Sequence, residues 1–294
     1  MATTMHSEAP AADIDPERIL SWTRLDVEQR LGFRGARFTR VSTPLTFLIG
    51  LAITVVFYAA ITLADDTYFS QMFCDRGIIP YAIVSLTGWS LAILYIKYCK
   101  LRVQRRALEV PVAPTDHEFV LSPATVNDVL TSIYRRVDDP QRFIVFNRVL
   151  LSLANLKNLG RVTDVDEMLR SQAEYDESVM ETSYSLLRGF VWAIPVLGFI
   201  GTVLGLSAAI GSFGSVLSEN SDMSVVAQSL RGVTSGLATA FETTLEALVA
   251  ALVIQILVTF LRKSEEEFLD DAREYCHQQV VNRLRMTPFE STTQ

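Results

Sequence analysis

Nucleotide-gripping glycine loops, nucleophile elbows and metal-binding helix motifs are all missing from this sequence. Without them there is no catalytic framework, so the chain reads as a non-enzyme, and no cofactor or metal is expected. Runs of alternating apolar and polar residues of useful length are missing too, which argues against a β-sheet. Cysteine is scarce. Cys74, Cys99 and Cys276 lie far apart, and the topology below puts the first on one side of a membrane and the others on the opposite side, so no disulfide framework is expected. The three histidines (His6, His117 and His277) are equally scattered and read as surface residues. Basic residues are not in excess: the formal net charge is -7, which argues against nucleic acid as a partner.

What the chain has is long apolar runs, within a sequence of 294 residues that is 49% hydrophobic. A helix needs about 20 residues to cross about 30 Å of hydrocarbon. Thr43 to Ala64, Gly77 to Ile96 and Gly189 to Ser218 carry no charge, and Gly232 to Leu261 carries only Glu242 and Glu246. The fold class is therefore an all-α integral membrane protein with four transmembrane helices, the last two long enough to extend beyond the bilayer. Arg24, Arg30, Arg34, Arg37 and Arg40 precede the first run; Lys97, Lys100, Arg102, Arg105 and Arg106 follow the second. Arg188 precedes the third, and Arg262 and Lys263 follow the fourth, whereas the opposite loops are mainly acidic. The positive-inside rule then puts both termini and the middle segment in the cytoplasm. The first run is too long and starts too late for a cleaved signal peptide.

The remaining segments divide as follows. Residues 1–16 are expected to be disordered and 17–40 to form an Arg-rich amphipathic helix at the inner surface, in reach of anionic lipid. Residues 41–98 hold the first two spans. Residues 99–187 form a helical cytoplasmic segment. One helix there starts near Ser122 with Val126, Val129, Leu130 and Ile133 on one face. A second covers roughly Asp139 to Leu159 and stops at Gly160. A third starts near Thr163 and runs unbroken into the third span. Residues 188–262 hold the last two spans. Residues 263–294 are a helical tail, with Phe268, Ala272, Tyr275, Cys276 and Val280 on one face and acids, Glu265 included, on the other.

The last two spans carry most of the information. In IPVLGFIGTVLGLSAAIGSFG, Gly198, Gly201, Gly205, Ala209 and Ser212 recur every three or four residues, a groove that lets another helix backbone approach closely. Thr202 lies on the same side, and Pro195 is placed to kink the helix. Gly232, Gly236 and Ala240 continue the small-residue pattern in the fourth span, beside a polar stripe of Gln228, Ser235, Thr239, Glu242, Thr243 and Glu246. A carboxylate at membrane depth must face a partner, face water or take up a proton. Two readings stay open: the glutamates either hold helices together or line an ion path.

Together, IPVLGFIGTVLG and SLRGVTSGLATAFETTLEALVAAL resemble the MotA/TolQ/ExbB proton-channel family, whose patterns fall here on Leu197, Gly198, Gly201, Thr202, Val203 and Gly205 and on Ala238, Thr239 and Ala240. The resemblance implies a multi-pass protein of the bacterial inner membrane that forms a homo-oligomeric ring, a pentamer, around two copies of a single-span subunit of the MotB, TolR or ExbD type. It implies that H+ or Na+ passes by way of a partner aspartate, with Thr202 and Thr239 lining the path, and that ion flow does mechanical work across the envelope. Thr243, Glu242 and Glu246 join the candidate path residues, while Pro195, Gly198, Gly201, Gly205, Gly232 and Gly236 are the packing and kink residues. The four spans match the MotA branch and the Gly-Thr-Val threonine matches TolQ and ExbB; the two glutamates are standard in neither. The alternative is a non-conducting membrane scaffold.

Overall fold

The computed structural model describes residues 20–33, 38–63, 68–112, 121–122, 125–159, 162–217 and 223–284. In chain order its elements are β1 (Leu20–Ser21), α1 (Trp22–Leu25), α2 (Val27–Arg30), α3 (Thr43–Leu63), α4 (Tyr68–Cys74), α5 (Ile79–Arg106), α6 (Val126–Arg136), β2 (Val137–Asp138), α7 (Ile144–Leu159), α8 (Val162–Ser183), α9 (Ser185–Leu217) and α10 (Met223–Gln279). Four helices are long and apolar enough to cross a membrane, one from each apolar run, and the protein is an all-α membrane protein.

Close backbone approach sets how the spans pair. Gly50 of α3 lies against Trp89 of α5, where a Cβ would fall 2.5 Å from the Trp89 Cα, and Gly88 faces the Gly50 carbonyl. The Trp89 indole N–H donates to the Thr46 hydroxyl at 3.1 Å, so the one polar atom of a half-buried ring is satisfied. Trp89 also packs on Phe190 of α9, ring centres 4.8 Å apart. Gly77 takes φ of 86°, a left-handed conformation that glycine adopts without steric cost, and turns the chain from α4 into α5.

Beyond the apolar bundle, α6, α7, α8 and the last third of α10 continue the same core. Trp22, Val126, Phe143, Phe146, Leu153, Phe268 and Ala272 are buried in it, and Trp22 meets Phe143 edge-on at 5.1 Å. Val126, Val129 and Ile133 face it from α6, as their spacing predicts.

Several expectations need correction. Residues 17–40 do not form one surface helix: α1 and α2 are single turns broken at Asp26, whose carboxylate caps the Glu28 N–H. Leu20 and Trp22 insert into the protein core rather than into lipid, and β1 pairs in parallel with β2, Leu20 opposite Val137. The second soluble helix starts at Ile144, because Asp139 takes φ of 53° and Pro140 to Arg142 make a 3-10 turn. The third does not run unbroken into the membrane: Tyr184 separates α8 from α9, its N–H reaching only the Glu181 carbonyl. In the tail, Phe268, Ala272, Cys276 and Val280 are buried as expected, but so is Glu265, placed on the acidic outer face by its sequence. Gly160 and residues 1–16 lie outside the described residues.

Charges read as membrane flanks turn out to be internal. Lys97 and Lys100 are almost fully buried. Lys97 pairs with Glu265 at 3.2 Å and donates to the Thr39 carbonyl and the Ser183 hydroxyl; Lys100 pairs with Glu28 and donates to the Arg40 carbonyl. Glu265 also accepts from the Tyr184 hydroxyl, at the break between α8 and α9. Arg148 of α7 pairs with Asp176 of α8 at 2.7 Å, again buried. Buried ions need partners of this quality, since an unpaired one costs several kcal/mol.

Candidate functional site

The helices α9 and α10 lie against each other along the small residues singled out in the sequence. A Cβ on Gly205 would meet the Gly236 carbonyl at 2.7 Å and the Ala240 nitrogen at 2.8 Å; one on Gly236 would meet the Gly205 carbonyl and Ala209. Gly201 abuts the Thr243 side chain, and Gly198 abuts Ala247. The groove is therefore filled by α10 of the same chain. Gly232 sits half-buried on α10, and Pro195 lies inside α9, where it leaves one carbonyl without its helical donor.

This packing separates the polar residues of α10. Thr243 is 1% exposed, pressed against Gly201, and its hydroxyl donates to the Thr239 carbonyl at 2.9 Å. Thr244 donates across to the Gly198 carbonyl at 3.2 Å. Both threonines serve the contact between α9 and α10. Thr202 and Thr239 are half-buried, each hydroxyl donating to a carbonyl of its own helix, Phe199 at 2.6 Å and Ser235 at 3.0 Å. Thr202 keeps its oxygen lone pairs for another donor, whereas the Thr239 oxygen already accepts one bond, from Arg76.

Glu242 and Glu246 point toward α4 and α5 and line one groove. Arg76, at the α4–α5 turn, grips Glu242 with two nitrogens, at 2.7 and 3.2 Å, and its third nitrogen reaches the Thr239 hydroxyl at 3.4 Å. The Tyr68 hydroxyl adds a bond to Glu242 at 2.9 Å. Glu246 is different: it is 7% exposed, and neither carboxylate oxygen has a hydrogen-bond partner among the described residues.

Two charged pairs thus bracket α5 and α10. Arg76–Glu242 closes one end and Lys97–Glu265 the other. On α10 they are separated by about 35 Å at 1.5 Å per residue, roughly the thickness of a hydrocarbon core. Glu246 therefore sits about 6 Å, one helical turn, inside the Arg76 end.

Sequence reading missed Arg76 and Tyr68 as site residues. Arg76 is a cation in a mainly acidic loop, and such a cation, set beside apolar spans of which one carries acids, is itself the available signal.

Residues 142–274 match the MotA/TolQ/ExbB proton channel family, a stretch that takes in α7, α8, all of α9 and most of α10. No curated protein and no solved structure matches.

Proposed function

We propose, from the match of residues 142–274 to the MotA/TolQ/ExbB proton channel family, that the chain is an ion-conducting ring subunit of a motor complex driven by an ion gradient. Members of such a family are channel-type proteins rather than enzymes. The proposed complex is a pentamer of this chain around two copies of a single-span subunit, in a bacterial inner membrane with both termini cytoplasmic. An ion, H+ or Na+, reaches an aspartate of that subunit from outside and leaves inside, past Thr202 and Thr239.

The observation that supports this reading most is how α9 and α10 divide their residues. Gly198, Gly201, Gly205, Gly236 and Thr243 are used within the chain, while Thr202 and Thr239 stay half-exposed. Large apolar side chains remain outward on both helices, Phe199, Val203 and Leu206 on one and Leu237, Phe241 and Leu248 on the other. Those faces suit neighbouring subunits, a partner helix and lipid.

The test is Thr202→Ala and Thr239→Ala in the assembled complex. Ion-dependent work is expected to be lost with the oligomer intact; unchanged work in both variants removes the path assignment. A non-conducting scaffold is favoured by a single observation, that Glu242 is already neutralised by Arg76. On that reading, Glu242→Gln and Glu246→Gln leave ion flux unchanged.

A further inference from the structure

Beside Glu246 lies a groove of about 550 Å³ between α3, α4, α5 and α10. Its wall is apolar, with Ile53 and Phe57 from α3, Phe73 from α4 and Ile83 from α5. Glu246 is its buried acid, and Glu242 and Tyr68 also line it. On the α3 side, the Tyr58 hydroxyl is likewise buried with no hydrogen-bond partner among the described residues. Tyr58 is held by stacking on Tyr81, ring centres 4.5 Å apart, and lies within electrostatic reach of Glu246. Three orphaned oxygen atoms on two helices thus share one neighbourhood. Buried polar atoms in native proteins are nearly always satisfied, so such a cluster points to something it binds.

We propose that Glu246, together with the Tyr58 hydroxyl, is a proton-binding station of the chain itself, entered from the Arg76 end past Glu242. A hydronium ion gives its proton to a Glu246 carboxylate oxygen: one O–H bond breaks, one forms, and a water molecule is left behind. Release is the reverse. Arg76, Tyr68 and Glu242 form the gate, and the bond from Arg76 to Thr239 joins that gate to the path proposed above. Sodium fits poorly, because a hard cation takes about six oxygens and most of the groove wall is apolar.

Two features lift this beyond a buried acid. The station is completed by α3 and α5, which lie outside the residues matching the family. It also lies on the side of α10 turned toward those helices, away from the α9 seam. The titratable and charged groups that face it are Tyr58 from α3, Tyr68 and Cys74 from α4, Arg76 from the turn, Tyr81 from α5 and Glu242 from α10. From Gly189 to Leu217, α9 carries none. The proposal rests on the conducting reading only for its use in transport; its chemistry stands alone.

The experiment treats the purified full-length protein in lipid with dicyclohexylcarbodiimide, an apolar reagent to which a protonated carboxyl group adds, giving a stable N-acylurea with no leaving group. Mass spectrometry locates the adduct. The expected result is modification at Glu246 that falls as pH rises, because only the protonated carboxyl group adds. Modification is absent in Glu246→Gln and at least threefold faster in Arg76→Gln, which opens the gate. Glu246→Asp, which keeps an acid there, retains the adduct and covers the case in which Gln disturbs folding. No adduct at Glu246, or an adduct indifferent to pH, overturns the proposal. Failure of the conducting reading is seen separately, as intact ion-dependent work in the Thr202 and Thr239 variants alongside a normal Glu246 adduct.

Discussion

Arg76 and Glu242 are 166 residues apart in sequence and 2.7 Å apart in space. That contact ties the turn between the first two spans to the fourth, and it fixes where the α3–α5 hairpin ends along α10. Beyond it, some 19 residues of α10 project past the hairpin, about 28 Å of helix.

The tight seam between α9 and α10 makes a graded prediction. Gly205→Ala places a methyl group against backbone atoms of α10, which have no side-chain freedom to yield. Overpacking of this kind costs about 1–3 kcal/mol. Gly211→Ala, with open space around it among the described residues, is expected to be neutral or slightly stabilising through helix propensity. Thermal unfolding in detergent ranks the two; equal midpoints remove the seam as a packing constraint.

At the opposite end, Lys97 and Glu265 are both almost fully buried. Removing one partner, as in Glu265→Ala, is expected to cost about 3–5 kcal/mol. The double variant Lys97→Met with Glu265→Leu should be markedly less damaged than either single change, because it leaves no unpaired ion. Additive losses in a double-mutant cycle would show that the two side chains do not act as a pair.

Trp22 anchors the amino-terminal segment, fully buried and edge-on to Phe143. Trp22→Ala is expected to cost about 3–5 kcal/mol and to release the segment. Limited trypsin digestion should then cut early at Arg24 and Arg30. A digestion pattern identical to wild type contradicts that anchoring.

Asp26 carries a pH dependence. Burial pushes its carboxyl group above its ordinary value, against the pull of Lys100. The folded chain therefore binds this proton more readily than the unfolded chain. Stability from this group rises as pH falls through the interval between the ordinary value and the raised one. Asp26→Asn keeps an oxygen for the Glu28 N–H and has no proton to gain. The difference in thermal midpoint between wild type and variant should shift in favour of wild type as pH is lowered from neutrality toward the ordinary carboxylate value. A constant difference counts against the burial argument.

Hydropathy located the four spans because a membrane helix must be apolar along its whole length, whatever its neighbours. The glycine pattern of α9 located its contact face for a similar reason: backbone approach demands it locally. The charged network was not legible. Lys97, Lys100, Glu28 and Glu265 have the composition of solvated flanks, and only partners between 72 and 168 residues away allow them inside. The segment at 17–40 misled because Leu20 and Trp22 are apolar residues that could serve lipid or protein equally well; Asp26 was the local clue that the helix breaks. Arg76 pairs across five intervening helices, α5 to α9, a relationship that no local pattern encodes.

The unbroken length of α10 has a mechanical consequence. Its 57 residues make a rod of about 85 Å, running from beyond the Arg76 gate to the far end of the soluble core. Its neighbour is interrupted for one residue at Tyr184, where α8 gives way to α9. A tilt of about 5° at one end of such a rod displaces the other by about 7 Å. The same tilt applied at Glu242 moves the helix near Gln279 sideways by about 5 Å.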